Sequence, residues 1–456
     1  AALREVVKKY PWFVTMLKRA RLGELAINSS VKTKLECVDE KEARVIGNNL
    51  TPCLRSRKVV TAGVDLWKLQ NRAVGELFKE FPWMEDMFVA LGKGVVKTAP
   101  WGLMFRVSFG AFTSVLDLVT DIYVTIMFYK DWENLDSYWY FQASVASLAC
   151  SIFANLIFVY MQHRGGGWRA VLRESGPVLI GLKPAVDAYR IASGKKQELG
   201  QALDPLTEMT YTKVIEAFAE AIPGAFIQLT AIVTSRKGAS AAAWISLLIS
   251  ALTTGYTAAT ISYDYDTDPE KRQHTPEFYG LVPADPRKRT IMFITLVFFG
   301  AGMLLMRCLS LVLLRLTGTR WIAGFLIGDL LLFFFMKIFL RDLWYKAPIG
   351  GRRSEFIMSF MTRLVKKVTT DFTSVIQFRH PYESGGFYWT FSLIVTIVGV
   401  PVTIYVYEEH TIEQKGVLDL IWKLYIGLIS TTLAMCFVFY MNVEKGYLHT
   451  FFSLET

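Results

Sequence analysis

The chain has 456 residues, 52% hydrophobic and 14% aromatic, with a formal charge of +10 at pH 7, and its mean hydropathy is +0.32. That apolar share excludes an ordinary soluble enzyme of this length. The Lys and Arg residues gather between apolar runs, where they set membrane orientation, so a nucleic-acid partner is excluded too. Five cysteines, Cys37, Cys53, Cys150, Cys308 and Cys436, form no C-x-x-C pair, so neither a disulfide framework nor a zinc site is expected. The expectation is an all-α polytopic membrane protein.

Residues 1–100 alternate short apolar groups with basic residues, and no run there reaches the roughly 18 apolar residues that a span needs. Amphipathic helices are expected, a cytosolic or interfacial region lying on the membrane or on the helix bundle and able to dock a protein partner. Pro11-Trp12, Pro82-Trp83 and Pro100-Trp101 each precede an apolar stretch, as suits a proline in a first helical turn beside an interfacial tryptophan. Asn28-Ser29-Ser30 and Asn49-Leu50-Thr51 match the glycosylation pattern, which matters only on a lumenal face.

Eight spans are expected, near 101–129, 137–162, 212–234, 240–263, 290–316, 321–340, 387–407 and 416–441. Two of them are half-polar. In the first, Ser114, Asp117, Asp121 and Thr125 fall on one helical face, with Arg106 nearer the N-terminus. In the third, Glu216, Glu220, Gly224 and Gln228 advance by fours, so two acids, a gap and an amide form one strip beside Pro223, where Pro223-Gly224 is the expected helix break. Carboxylates at membrane depth cost free energy and usually mark a hydrated route or an ion site; the alternative is that protonation or a basic partner neutralises them inside the bundle.

Between the spans, Gly165-Gly166-Gly167 lacks the Lys and Ser or Thr of a phosphate-binding loop and is expected to be a turn. Residues 176–192 are too short to span and are interrupted by Lys183, Pro184 and Asp187, which suggests a re-entrant or in-plane half-helix. Asp264, Asp266 and Asp268 resemble the start of a calcium loop, but Pro269 and Thr275 stand where Gly and Glu are required, and no calcium is expected. Arg307 is the expected counter-charge for the acids, with Asp329 and Lys337 in the next span. Residues 354–368 read as an amphipathic helix in the plane of an anionic leaflet, and Asp419 and Lys423 are spaced to pair. With the N-terminus cytosolic, the basic loops at His163, 285–289 and 341–367 lie inside and the acidic turns at Asp131 and Glu408 outside. The Arg236-Lys237-Gly238 turn is the exception. Both termini are then cytosolic, the last residues 443–456 forming a short tail.

Through these residues the chain resembles the XK-related family of phospholipid scramblases. The resemblance lies in Asp117-Leu118-Val119-Thr120-Asp121, in Gly176-Pro177 opening the half-helix, and in Val214-Ile215-Glu216-Ala217-Phe218 through Pro223 to Gln228-Leu229. It runs from about Trp101 to Met441, and residues 1–100 have no counterpart. The family often has Pro-Gln where this chain has Pro223-Gly224, Phe372 to Gly386 matches nothing in the animal members, and no Asp follows Asp419, so a caspase-gated tail is not expected.

The resemblance implies a monomeric or heteromeric bundle of two similar halves, each with a re-entrant half-helix. It also implies the plasma membrane, an organellar membrane being the other option. Headgroups of membrane phospholipids would cross in a polar furrow formed by Asp117, Asp121, Glu216, Glu220, Gln228 and Arg307, the acids meeting the amine and Arg307 the phosphate, with no cofactor and no metal. Two further readings use the same residues: an ion or solute transporter that encloses its acids, and a non-catalytic scaffold whose region 1–100 docks a partner such as a lipid-transfer protein. The histidines, His163, His274, His380, His410 and His449, are scattered and form no catalytic or metal-ligand pattern, so an enzyme is not expected.

Overall fold

The computed structural model describes residues 2–22, 31–56, 60–98, 103–131, 135–193, 201–203, 205–235, 240–267, 281–283, 285–339, 352–374, 385–410 and 415–443. Among the described residues the only β-contact is a single parallel bridge between Val31 and Asn71. The protein is an all-α polytopic membrane protein, with eight helices long and apolar enough to cross a bilayer. The chain divides into two compact units.

The first unit comprises the described residues of 1–106 and 264–290 with Val443. Its helices are α1 (Ala2–Lys9), α2 (Phe13–Leu22), α3 (Glu40–Ser56), α4 (Val60–Gln70), α5 (Arg72–Glu80) and α6 (Trp83–Thr98). Apolar residues recur at helical spacing, Phe13, Met16 and Ala20 in α2 and Ala43, Ile46 and Leu50 in α3, and these stripes pack on one another with Trp67, Leu77 and Phe88, all of them fully buried. Trp67 anchors this core: its Nε1 donates to the Ile46 carbonyl at 2.7 Å, and its ring lies 4.9 Å from that of Phe88.

The apolar stripes of these helices are thus covered by one another in a core of their own. A stripe of this width is covered equally well by a neighbouring helix as by lipid, and periodicity does not distinguish the two. Trp12 is accordingly buried in this core rather than placed at an interface. Asn49 is buried in α3, so its sequon offers no accessible amide; Asn28 and Pro100-Trp101 lie outside the described residues.

Glu80 ties α5 to the end of α1, accepting from Lys9 Nζ at 2.5 Å and from Tyr10 Oη at 2.8 Å. The hydrogen bonds from Lys9 and Tyr10 hold Glu80 below the usual carboxylate range, and Glu80 in turn holds the Lys9 ammonium above its usual value. A lowered carboxylate stabilises the fold above its ordinary range and ceases to as pH falls through the lowered value. A raised ammonium contributes below its ordinary value and ceases to as pH climbs through the raised one. The α1–α5 contact is therefore expected to loosen at both pH extremes, and Glu80→Gln to abolish the acidic limb, as read by hydrogen exchange of α1 in the full chain.

Asp264 and Asp266 each have partners within the protein. Asp264 pairs with Arg106, and fully buried Asp266 accepts the backbone N–H groups of Leu281 at 3.1 Å and Val282 at 2.8 Å. One carboxylate thus clamps two backbone donors. Asp268 lies outside the described residues.

The second unit comprises the described residues of 107–263 and 291–442. In chain order the helices are α7 (Leu103–Lys130), α8 (Leu135–His163), α9 (Trp168–Leu179), α10 (Lys183–Ala192), α11 (Pro205–Glu216), α12 (Ile222–Thr234), α13 (Ala241–Thr267), α14 (Pro286–Thr317), α15 (Thr319–Phe339), α16 (Arg352–Thr373), α17 (Gly385–His410) and α18 (Lys415–Asn442). α14 is apolar nearly all round and so takes the centre. Its Met303, Leu304, Met306, Leu309 and Val312 are buried against Ala225 and Leu229 of α12, Ala251 of α13, Val400 and Ile404 of α17 and Ile421 of α18. α15 and α18 turn Leu331, Phe335 and Phe437 outward, as lipid-facing helices do.

Two expectations about elements are corrected. The half-helix over 176–192 is two helices, α9 and α10, because Gly181 takes a left-handed φ of 70° and Pro184 starts a new first turn. Gly176-Pro177 then lies inside α9 rather than opening a helix. The helix expected in the membrane plane is α16, and its second half is buried, with Arg363, Lys367, Asp371 and Thr373 inside the unit. Its charges have partners there, which an amphipathic pattern cannot tell from anionic headgroups.

Candidate functional site

α7, α8 and the helical rod formed by α11 and α12 bring the two acidic strips together. Asp117, Glu216 and Glu220 line one cavity of about 240 Å³ with Ser114, Asn155 and Lys213. Asp121, Glu220 and Gln228 line a smaller recess, where Gln228 Nε2 donates to Asp121 Oδ1 at 2.9 Å. Glu220 belongs to both, so the four acids and the glutamine form one polar track through the spans. Asp117 and Asp121 are buried, Glu216 and Glu220 half-buried. Gly224 lies beside the track, where a Cβ would stand 3.6 Å from Asp121 Oδ2, an ordinary contact distance.

The break expected at Pro223-Gly224 is a π-helical turn over Ala217–Ala221, in which the Ile222 N–H bonds to the Ala217 carbonyl. Pro223 has no N–H to offer the Ala219 carbonyl four residues back. That carbonyl accepts instead from Ser147 Oγ of α8 at 2.7 Å. The rod therefore continues across the proline while both Glu216 and Glu220 line the cavity.

Arg307 is not at this site. Its Nε donates to Thr396 Oγ1 at 3.1 Å, its Nη2 to Ser392 Oγ at 3.2 Å, and its Nη1 lies 3.9 Å from Asp371 Oδ2. It lines a second cavity, of about 210 Å³, with Asp329, Lys367 and Asp371. Lys367 Nζ donates to Asp371 Oδ2 at 2.7 Å and also to Asp329, so two cations there meet two carboxylates. The side chain of Lys337 lies outside the described residues. Arg307 is a cation at span depth, as a counter-charge for the strips requires, but its acid comes from α16 instead.

Two cations do line the acidic cavity, Lys183 and Lys213, the latter one turn before Glu216 and 2% exposed. A side chain at Gly110 of α7 would strike the Lys213 Nζ, so the glycine admits the ammonium between the helices. A lysine three residues ahead of an acidic strip was the available signal. No family model matches the chain, and no curated protein matches it; the functional reading is carried by the geometry.

A buried ionic cluster beside the site was not anticipated. Lys183 lines the acidic cavity, and its Nζ donates to Glu208 Oε1 at 2.6 Å and Asp187 Oδ1 at 2.7 Å and lies 3.5 Å from Glu174 Oε2. His163 Nε2 stands 3.1 Å from Glu208 Oε1, Gln162 Nε2 donates to Glu208 Oε2 at 3.2 Å, and Arg190 pairs with Glu174. These contacts join the end of α8 to α9, α10 and the start of α11. The ligand atoms of His163, Glu174 and Glu208 lie within 4.8 Å of one another, a spacing a metal ion can use. The Lys183 ammonium already supplies positive charge to two of the three.

Proposed function

We propose that the protein passes phospholipid headgroups between leaflets along the track of Asp117, Glu216, Glu220, Asp121 and Gln228, without ATP and without covalent chemistry, as the XK-related resemblance suggests. The rim of the acidic cavity carries this reading. Ile122, Ile152, Leu179 and Ile180 line it and are 44%, 36%, 60% and 66% exposed. A polar floor within spanning helices and an exposed apolar rim suit an amphiphile whose head enters while its tails remain in lipid. A transporter would instead close such a cavity from lipid. A scaffold would neutralise its acids, as the Arg307 cluster does; along the track four carboxylates meet Lys213 and a Lys183 already paired with Asp187 and Glu208, among the described residues.

The test is reconstitution of the full chain into liposomes carrying a fluorescent lipid in both leaflets, followed by a membrane-impermeant quencher. Fluorescence loss beyond about half is the expected result, since a sealed bilayer shields its inner leaflet from a reagent that cannot cross the apolar core. Loss that stops at half in verified folded protein would remove transport and favour the scaffold.

A further inference from the structure

Resting on that reading, we infer that the acidic cavity selects a primary ammonium, of the ethanolamine type, over the quaternary ammonium of choline. Two oxygen acceptors carry the inference. Asp117 Oδ1 and Asn155 Oδ1 have no hydrogen-bond partner, their residues are 8% and 5% exposed, and both residues line the cavity. A buried acceptor without a donor keeps its full desolvation cost until a donor arrives. An –NH3+ group brings three N–H donors, whereas a trimethylammonium group brings the same charge and none. Glu216 and Glu220 attract either cation through charge alone. The orphaned acceptors discriminate, because a site built to hydrogen-bond a ligand leaves its own groups unpaired when the analogue lacks the donor. A cavity of about 240 Å³ has room for an organic head.

The full chain in detergent micelles, titrated calorimetrically with glycerophosphoethanolamine, glycerophosphocholine and free ethanolamine, tests this. The ethanolamine ester is expected to bind roughly tenfold more tightly than the choline ester. Asn155→Leu, close to isosteric, should cut the preference at least about threefold, since Asp117 Oδ1 remains, and Asn155→Asp, which keeps an acceptor, should retain it; a preference unchanged in folded Asn155→Leu overturns the inference. Equal binding of the two esters, or binding of neither, overturns the inference. Free ethanolamine binding as tightly as its ester would uphold ammonium selection but assign it to small amines; a preference for the ester would point to lipid. Failure of the transport reading shows separately. Acyl-labelled ethanolamine and choline lipids that both stop at half quenching remove transport while ester selectivity stands, and both crossing at equal rates removes the selectivity while transport stands.

Discussion

Replacing Lys183 by methionine is expected to destabilise the second unit by about 3–5 kcal/mol, as when one member of a buried ion pair is removed and its partners remain. Lys183, Glu174, Asp187 and Glu208 are each no more than 2% exposed, and the Lys183 Nζ contacts carboxylates from α9, α10 and α11. Without it, Asp187 and Glu208 lose their shortest charged partner while remaining buried. Restoring balance rather than contacts should recover most of the loss, so Lys183→Met combined with Asp187→Asn and Glu208→Gln is expected to be more stable than the single variant. Denaturation in micelles, with hydrogen exchange of α9 and α10, reads both. A single-variant loss below about 1 kcal/mol would mean that the carboxylates are solvated as surface pairs are.

Neutralising Asp117, Asp121, Glu216 and Glu220 together as Asn and Gln is expected to slow headgroup transfer by at least about tenfold, equivalent to some 1.4 kcal/mol of barrier. With Lys213→Met added, so that the Lys213 ammonium is not left buried beside neutralised acids, the variant should hold or gain stability, because burying an ionised carboxylate is unfavourable and its amide is cheaper to bury. Opposite movement of rate and stability separates a pathway role from a packing role. Arg307→Gln is the contrast: Arg307 binds Ser392, Thr396 and Asp371, so it should lower stability first. Unchanged transfer in a folded fourfold variant would make the acids structural.

The eight spans were legible in the sequence because hydropathy over about twenty residues is a local property of the chain. That Asp117 shares a face with Asp121, and Glu216 with Glu220, was legible for the same reason, through the helical period. Partners across helices were not. Lys367 reaches Asp329 from 38 residues away and Gln228 reaches Asp121 from 107, and no local pattern records such a distance. An acid or base at span depth announces that it needs a partner, and several were available; Arg307 was the obvious cation, and packing assigned it to α16. The π turn before Pro223 likewise depends on Ser147 of another helix to satisfy the freed carbonyl. The amphipathic stripes of residues 1–100 specified that one face of each helix must be covered, but only the tertiary structure decided that the cover is the other helices, since burial against protein and against lipid satisfies an apolar face alike.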